Sequence, residues 1–163
     1  PLIGGSCSWN TTRARHCNWV RLRDKRSGRE LRVLDVHLDH KSDEARREQI
    51  RMVMDECAQY AADFPQILCG DFNAGIDSAP VRYIRSVDGW REMYETVHGS
   101  GEAGFSYHGF KGEGYKPKKE PRRIDFLFYR GAVDVADAEF VRDHEGKTYP
   151  SDHYFLFSEF TLR

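Results

Sequence analysis

Apolar and polar positions alternate along Trp19–Asp24, WVRLRD, and again along Leu31–Leu38, LRVLDVHL. A period of two marks a strand with one face turned inward, and the intervening SGRE supplies turn residues, so a hairpin is expected. From residue 43 the period lengthens. In DEARREQIRMVMDECAQYAADF, Ile50, Val53, Met54, Cys57 and Ala61 recur at helical spacing with Arg and Glu opposite. Ser42 and Asp43 offer N-caps, and Pro65 closes the segment. QILCGDF, residues 66–72, is then apolar enough for a central strand.

Strand, helix and strand in alternation point to an α/β fold. SAPVRYIRSV, residues 78–87, reads as a short helix with Pro80 early in it, and WREMYETV as another. Residues 99–114 mix glycines with aromatics, as a loop around a turn or a site does. KPKKEPRR, residues 116–123, reads as an exposed basic loop with anionic substrate as a lesser assignment. RIDFLFYR, DVADAEFVRD and HYFLFSEFTLR give three more strands, the last closing a sheet.

Composition narrows the class. A chain of 163 residues suits one domain, and 39% hydrophobic with 31% charged residues describes a globular protein, not a disordered one. No apolar run approaches a membrane-spanning length. The first residues, PLIGG, have no signal-sequence pattern and no initiator Met, so the compartment is left open. A net charge of −1 weighs against a protein that lives on duplex DNA, but not against one that holds phosphate through a metal ion. The four cysteines lack CxxC spacing, which removes support for a zinc ribbon or a thioredoxin motif. Cys57 and Cys69 are expected as buried free thiols; a Cys7–Cys17 bridge is open if the protein is exported.

The predicted strands end in chemically capable groups. His37, Asp39 and His40 finish the second, Asp71 and Asn73 the third, and Asp152–His153 precede the last. Sites in such sheets form at strand ends. Carboxylates suit Mg²⁺, an Asn amide donates to phosphate oxygens, and a His oriented by an Asp takes a proton from water. Asp125 stands alone among the apolar residues of its strand, and a buried carboxylate needs a partner. A histidine is one such partner; Arg122 or Arg123 is the other.

Taken in order, DVHLDH, GDFNAG, RRIDFLFY and PSDHY resemble the endonuclease/exonuclease/phosphatase (DNase I-like) family. Ser8-Trp9, the Trp19 strand, DEARREQ and GFSYHGF are similar to its bacterial metallophosphatase-like members. The resemblance implies a DNase I-like four-layer α/β sandwich, with two packed mixed sheets flanked by helices. It also implies a metal-dependent phosphoesterase using Mg²⁺ or Mn²⁺ and a His-activated water. By that resemblance His37 contacts the scissile phosphate, Asp71 positions water or metal, and Asn73 stabilises phosphoryl oxygens. Asp125 and His153 are the Asp–His pair, and Asp152 is a metal ligand with Asp71. His40, Arg46 and His108 are further candidates to meet substrate; His40 is equally a helix-entry cap, and Arg46 reads first as part of a solvated helix face, with phosphate contact as the lesser assignment.

The family pattern begins before Pro1. Its Asn-bearing and Glu-bearing N-terminal strands have no counterpart here, so residues 1–163 read as one partial domain, the C-terminal two-thirds. The chain alone is then expected to bind metal weakly and turn over little, and the alternative is a non-catalytic binding module that keeps the fold. The substrate is a phosphate ester, whether small molecule, phospholipid headgroup or nucleic acid; monoester against diester and the oligomeric state stay open.

Overall fold

Leu34, Val36 and Leu38 alternate with Leu31 and Val33, and both sets are drawn into cores on opposite faces of one sheet. The computed structural model describes residues 5, 7–11, 13–100, 105–116 and 123–163. The main sheet has five strands: β1 (Cys17–Arg23), β2 (Glu30–His37), β3 (Gln66–Asp71), β4 (Arg91–Glu92) and β5 (Asp125–Arg130). Their order is β1-β2-β3-β5-β4. The β1–β2 hairpin is antiparallel, β2 and β3 run parallel, and β5 runs against both β3 and β4, so the sheet is mixed. A second sheet pairs β6 (Val133–Val141) with β7 (Phe155–Leu162), antiparallel.

Helices α1 (Asp43–Cys57) and α2 (Ala79–Ser86) cover one face. Ile50, Val53, Met54 and Cys57 of α1 join Leu34, Leu68, Phe72, Phe126 and Phe128 in one core. Each such side chain contributes about 1.5–3 kcal/mol on full burial. On the other face Leu31, Ile67 and Tyr129 meet Val133 and Ala138 of β6 and Met93 of α3 (Met93–His98), with Phe160 and Leu162 of β7 beside them. Two sheets with helices outside are what the resemblance implies.

Several boundaries differ from those the periodicity suggests, each for a tertiary reason. The long helix stops at Cys57, not Phe64. Its last turn carries no cation of its own. Arg130 of β5 supplies one: Nη2 donates to the carbonyls of Tyr60 at 3.0 Å and Ala61 at 3.2 Å, and Gln66 Nε2 donates to Cys57 O at 3.1 Å. The carbonyl of Cys57, freed at the helix end, thus has side-chain donors from Gln66 and from Arg130 at 3.4 Å, and Arg130 holds the turn that follows. The WREMYETV segment opens as β4 and only then turns helical. Glu92, buried, caps α3 by accepting from Glu95 N–H at 2.7 Å and pairs with buried Arg123 at 3.5 Å. All four cysteines are free; Cys7 and Cys17 are exposed. Burial pushes the thiols of Cys57 and Cys69 up to about 12 and about 11, so both stay protonated and inert. Residues 117–122 of the basic loop lie outside the described residues, with Arg122 among them.

The turn from β2 into α1 is built on Asp39, whose Oδ1 accepts from Lys41 N–H at 2.8 Å and Ser42 N–H at 2.7 Å. Ser42 in turn caps α1, accepting from Ala45 N–H at 3.1 Å. Burial of Asp39 raises its pKa, but these amides, with the Thr11 hydroxyl, outweigh burial and hold it down at about 2. Its ionised form is therefore favoured by folding. That contribution is full above the ordinary carboxylate value of about 3.9 and is lost as pH falls through about 2. Asp39→Ala is expected to lower unfolding stability by ~1–3 kcal/mol at pH 7. In urea titrations the gap to wild type should narrow between pH 4 and about 2; a gap constant with pH would contradict this origin.

Candidate active site

Register brings three polar residues into one row. His37 pairs across from Asp71 on β3, and Asp71 pairs across from Asp125 on β5. Below it lie apolar rows such as Leu34–Leu68–Phe128 and Val33–Ile67–Tyr129. The polar row ends the sheet where β2 and β3 finish and β5 begins. Strand alternation puts His37 and Asp125 on the face that, farther down, packs on β6 and β7.

The close approach of β2 and β3 here depends on Gly70. Its φ is +129°, and a Cβ at this position would stand 1.9 Å from the Val36 carbonyl oxygen. No side chain fits there. Past it, the strand ends are laced together. Leu38 N–H donates to Asp71 O at 2.9 Å, and Asn73 Nδ2 donates to Leu38 O at 3.0 Å. Asn73 is left-handed, with φ +49°, a conformation Asn tolerates better than most residues. Its position is thus set by this turn and not by strand periodicity. Phe72 turns into the core against Phe126, the ring centroids 5.4 Å apart.

His153 reaches the row from the segment before β7. Its Nδ1 lies 2.8 Å from Asp125 Oδ2. An ionised carboxylate only accepts, so Nδ1 carries the proton and Nε2 is the basic nitrogen. The segment is tied down from residues 106–109: His108 and Gly109 N–H donate to Asp152 O, and Tyr154 N–H to Ser106 O. Ser106 Oγ, fully buried, accepts from Ile124 N–H at 3.0 Å and Asp125 N–H at 3.3 Å, fixing the start of β5 as well. The Tyr107 ring stands edge-on to His153, centroids 5.1 Å apart. Ser106 and Tyr107 fall within GFSYHGF, but the motif by itself points to no role for either; the contacts with β5 and His153 do.

Asp71, Asp125 and His153 each offer a ligand atom, all within 4.8 Å of one another. Asp71 Oδ1 accepts from Asn73 N–H at 2.7 Å, and Oδ2 lies 3.4 Å from His37 Nε2. Burial raises the Asp71 pKa, and the nearby charge of Asp125 raises it further. The hydrogen bond to Asp125 raises the His153 pKa against the opposing effect of burial. Two half-buried carboxylates facing each other are unfavourable unless a cation stands between them, and oxygen donors of this kind suit a hard divalent ion. The residues present therefore fit a hard divalent ion.

Other candidates lie elsewhere. Asp152 adjoins His153, but its carboxylate is not in the cluster; its carbonyl holds the 108–109 turn. His40 is exposed, with Nδ1 3.1 Å from Arg15 Nη2. Arg46 is buried: Nη1 donates to Asp39 O at 2.7 Å and Nη2 pairs with Asp43, so its charge is spent on the α1 entry. His108 is 1% exposed, accepts from Gly112 N–H at 3.2 Å and packs on Tyr154, centroids 4.2 Å apart. Burial holds its pKa below the usual value. It braces the His153 segment from beneath.

A model of the Endonuclease/Exonuclease/phosphatase family matches residues 6–153. Nocturnin of Drosophila melanogaster is 29% identical over 174 residues, covering 88% of this chain and 27% of that protein. Among solved structures, an endonuclease/exonuclease/phosphatase from Bacteroides vulgatus superposes with a TM-score of 0.82 at 22% identity, covering 97% of this chain and 59% of the other. The mannosyl-6-phosphatase Bt3783 of Bacteroides thetaiotaomicron gives 0.79 at 21%, covering 94% and 60%. D. rerio TDP2, complexed with a single-strand DNA product, gives 0.76 at 20%, covering 94% and 64%. The structural likenesses show the fold. The chain spans about three fifths of these solved relatives and about a quarter of the nocturnin.

Gly70→Ala is expected to destabilise the protein by about 3 kcal/mol or more, because the clash is with backbone and the φ is unfavourable for a side chain. Urea denaturation measures it, and stability equal to wild type would contradict the close approach.

Proposed function

This chain belongs to the Endonuclease/Exonuclease/phosphatase family, whose members are hydrolases of phosphate esters, and we propose that it carries the acid–base half of a divalent-metal-dependent phosphoesterase site. The observation that carries this reading is the His153–Asp125 pair at 2.8 Å, set within 4.8 Å of Asp71. Asp71 and Asp125 would hold the ion, with Asp152 close by in sequence. The ion, when bound, supplies positive charge against the phosphoryl oxygens.

The chain's own groups do the rest. His153 Nε2 takes the proton of the attacking water, while Asp125 holds the ring in the required tautomer and stabilises the imidazolium that forms. Asn73 has two amide hydrogens. One goes to Leu38 O, and the second is a donor for a phosphoryl oxygen. His37, 58% exposed at its side chain, supplies another donor on the opposite side of Asp71. Such fixed donors act where charge grows in the transition state. The pKa of His153, raised by its hydrogen bond to Asp125, makes it a stronger base than a free imidazole.

The test is a panel of phosphate mono- and diesters with Mg²⁺ or Mn²⁺, using the full-length protein. Turnover should vanish with a chelator and return with either ion. His153→Ala should lower kcat by ~10²–10⁴-fold with the fold retained. Wild-type turnover in that variant, or in chelator, refutes the assignment. Metal binding with no ester hydrolysed would point instead to a non-catalytic module.

A further inference from the structure

Ser106 stands where the two halves of the acid–base pair meet, and its side chain and main chain serve different partners. The hydroxyl oxygen, fully buried, accepts from Ile124 N–H at 3.0 Å and from Asp125 N–H at 3.3 Å. The carbonyl accepts from Tyr154 N–H at 2.8 Å, one residue past His153. Asp125 is thus tied to Ser106 directly, and His153 through the adjoining peptide. The peptide between Ile124 and Asp125 is held at its other end as well. Its carbonyl accepts from Phe72 N–H at 2.8 Å, in the turn between Asp71 and Asn73. Any residue at 106 could offer the carbonyl. Only the hydroxyl depends on the side chain, so alanine would keep the link to Tyr154 and lose both bonds to the start of β5.

We propose that Ser106 is a positioning residue for the hydrolysis: its hydroxyl sets the backbone at Asp125 so that the carboxylate meets His153 Nδ1 and holds the ring with Nε2 free to act as base. The inference rests on the acid–base reading of that pair. Geometry explains why one hydroxyl matters. Asp125 Oδ2 lies 2.8 Å from His153 Nδ1, and a hydrogen bond weakens steeply once its angle is lost. A misplacement of about 1 Å at a reacting group costs on the order of 10²-fold in rate. His153 has restraints of its own: its N–H donates to Ser151 Oγ at 3.1 Å, and the Tyr107 ring stands edge-on to the imidazole. The amide of Asp125 has the Ser106 hydroxyl. Loss of that hydroxyl therefore shifts Asp125 against a ring that stays in place.

The experiment takes the full-length protein with Ser106→Ala, and with Ser106→Cys, which keeps a side chain of similar shape but replaces the oxygen by a weak acceptor. Long-range proton–nitrogen correlation spectra of the His153 ring, recorded where the ring is neutral, read which nitrogen carries the proton. Wild type should hold the Nδ1–H form, and the folded variants should lose part of it. On the ester that wild type hydrolyses best, kcat should fall ~10–10²-fold in the variants with KM within ~2-fold. A Ser106 that served stability alone would lower the unfolding midpoint and leave ring and kcat as in wild type. Either of the two at its wild-type value in a folded variant overturns the proposal and leaves the proposed function standing. Should Ser106→Ala not fold, Ser106→Cys decides. Hydrolysis of no ester by wild type counts against the proposed function, and the ring spectra then decide the positioning alone: a loss of the Nδ1–H form in the variants supports it, and an unchanged ring overturns it. A wild-type ring protonated at Nε2 removes the pair itself and both readings with it.

Discussion

The approach of β3 to β2 at Gly70 is the constraint on which the site depends. The Val36 carbonyl occupies the place of a Cβ on residue 70. That contact lets the ends of two parallel strands finish side by side, with His37 across from Asp71. It also starts the turn that holds Asn73 in a left-handed conformation with its amide on Leu38. Antiparallel β5 then adds Asp125 to the row. Three chain segments far apart in sequence deliver their polar residues to one line because the register beneath them is fixed by Leu34, Leu68 and Phe128. A slip of one residue would turn all of these to the wrong face.

The second constraint is electrostatic. Asp71 and Asp125 sit near each other in a half-buried place, and burial already penalises the charge on Asp71. His153 relieves Asp125 from one side, and His37 approaches Asp71 from the other. The remaining cost is the kind a bound cation removes. The protein thus holds an arrangement less favourable on its own than with a ligand, which is common where rigid surroundings serve chemistry and not stability. Rigidity comes from beneath: Ser106 fixes the β5 start, and buried His108 braces the turn before β7.

Much of this was legible in the chain. The period-two segments mark β1 and β2, the apolar run at 66–72 marks β3, helical spacing marks α1, and an inward charge at residue 125 asks for a partner, which is His153. What was not legible depends on contacts between distant residues. The turn that follows α1 is held by Arg130, 70 residues beyond Tyr60. Arg46 and His108 are types that serve ligands elsewhere; burial at the α1 entry and under Tyr154 gives them structural work here. Glu92 falls inside the segment read as a helix, yet it ends β4 and caps α3, buried against Arg123. Local pattern reports which face is apolar, whereas the partner of a buried polar group is decided by topology.

The central claim is that a divalent cation binds at Asp71 and Asp125, beside the His153 base, at the strand ends. Paramagnetic relaxation by Mn²⁺, read from amide and imidazole resonances of the full-length protein, tests it most directly. Selective broadening at His153 and around Gly70–Asn73, abolished in Asp71→Asn, is the predicted result. Broadening centred elsewhere, or broadening that Asp71→Asn leaves unchanged, would contradict the account.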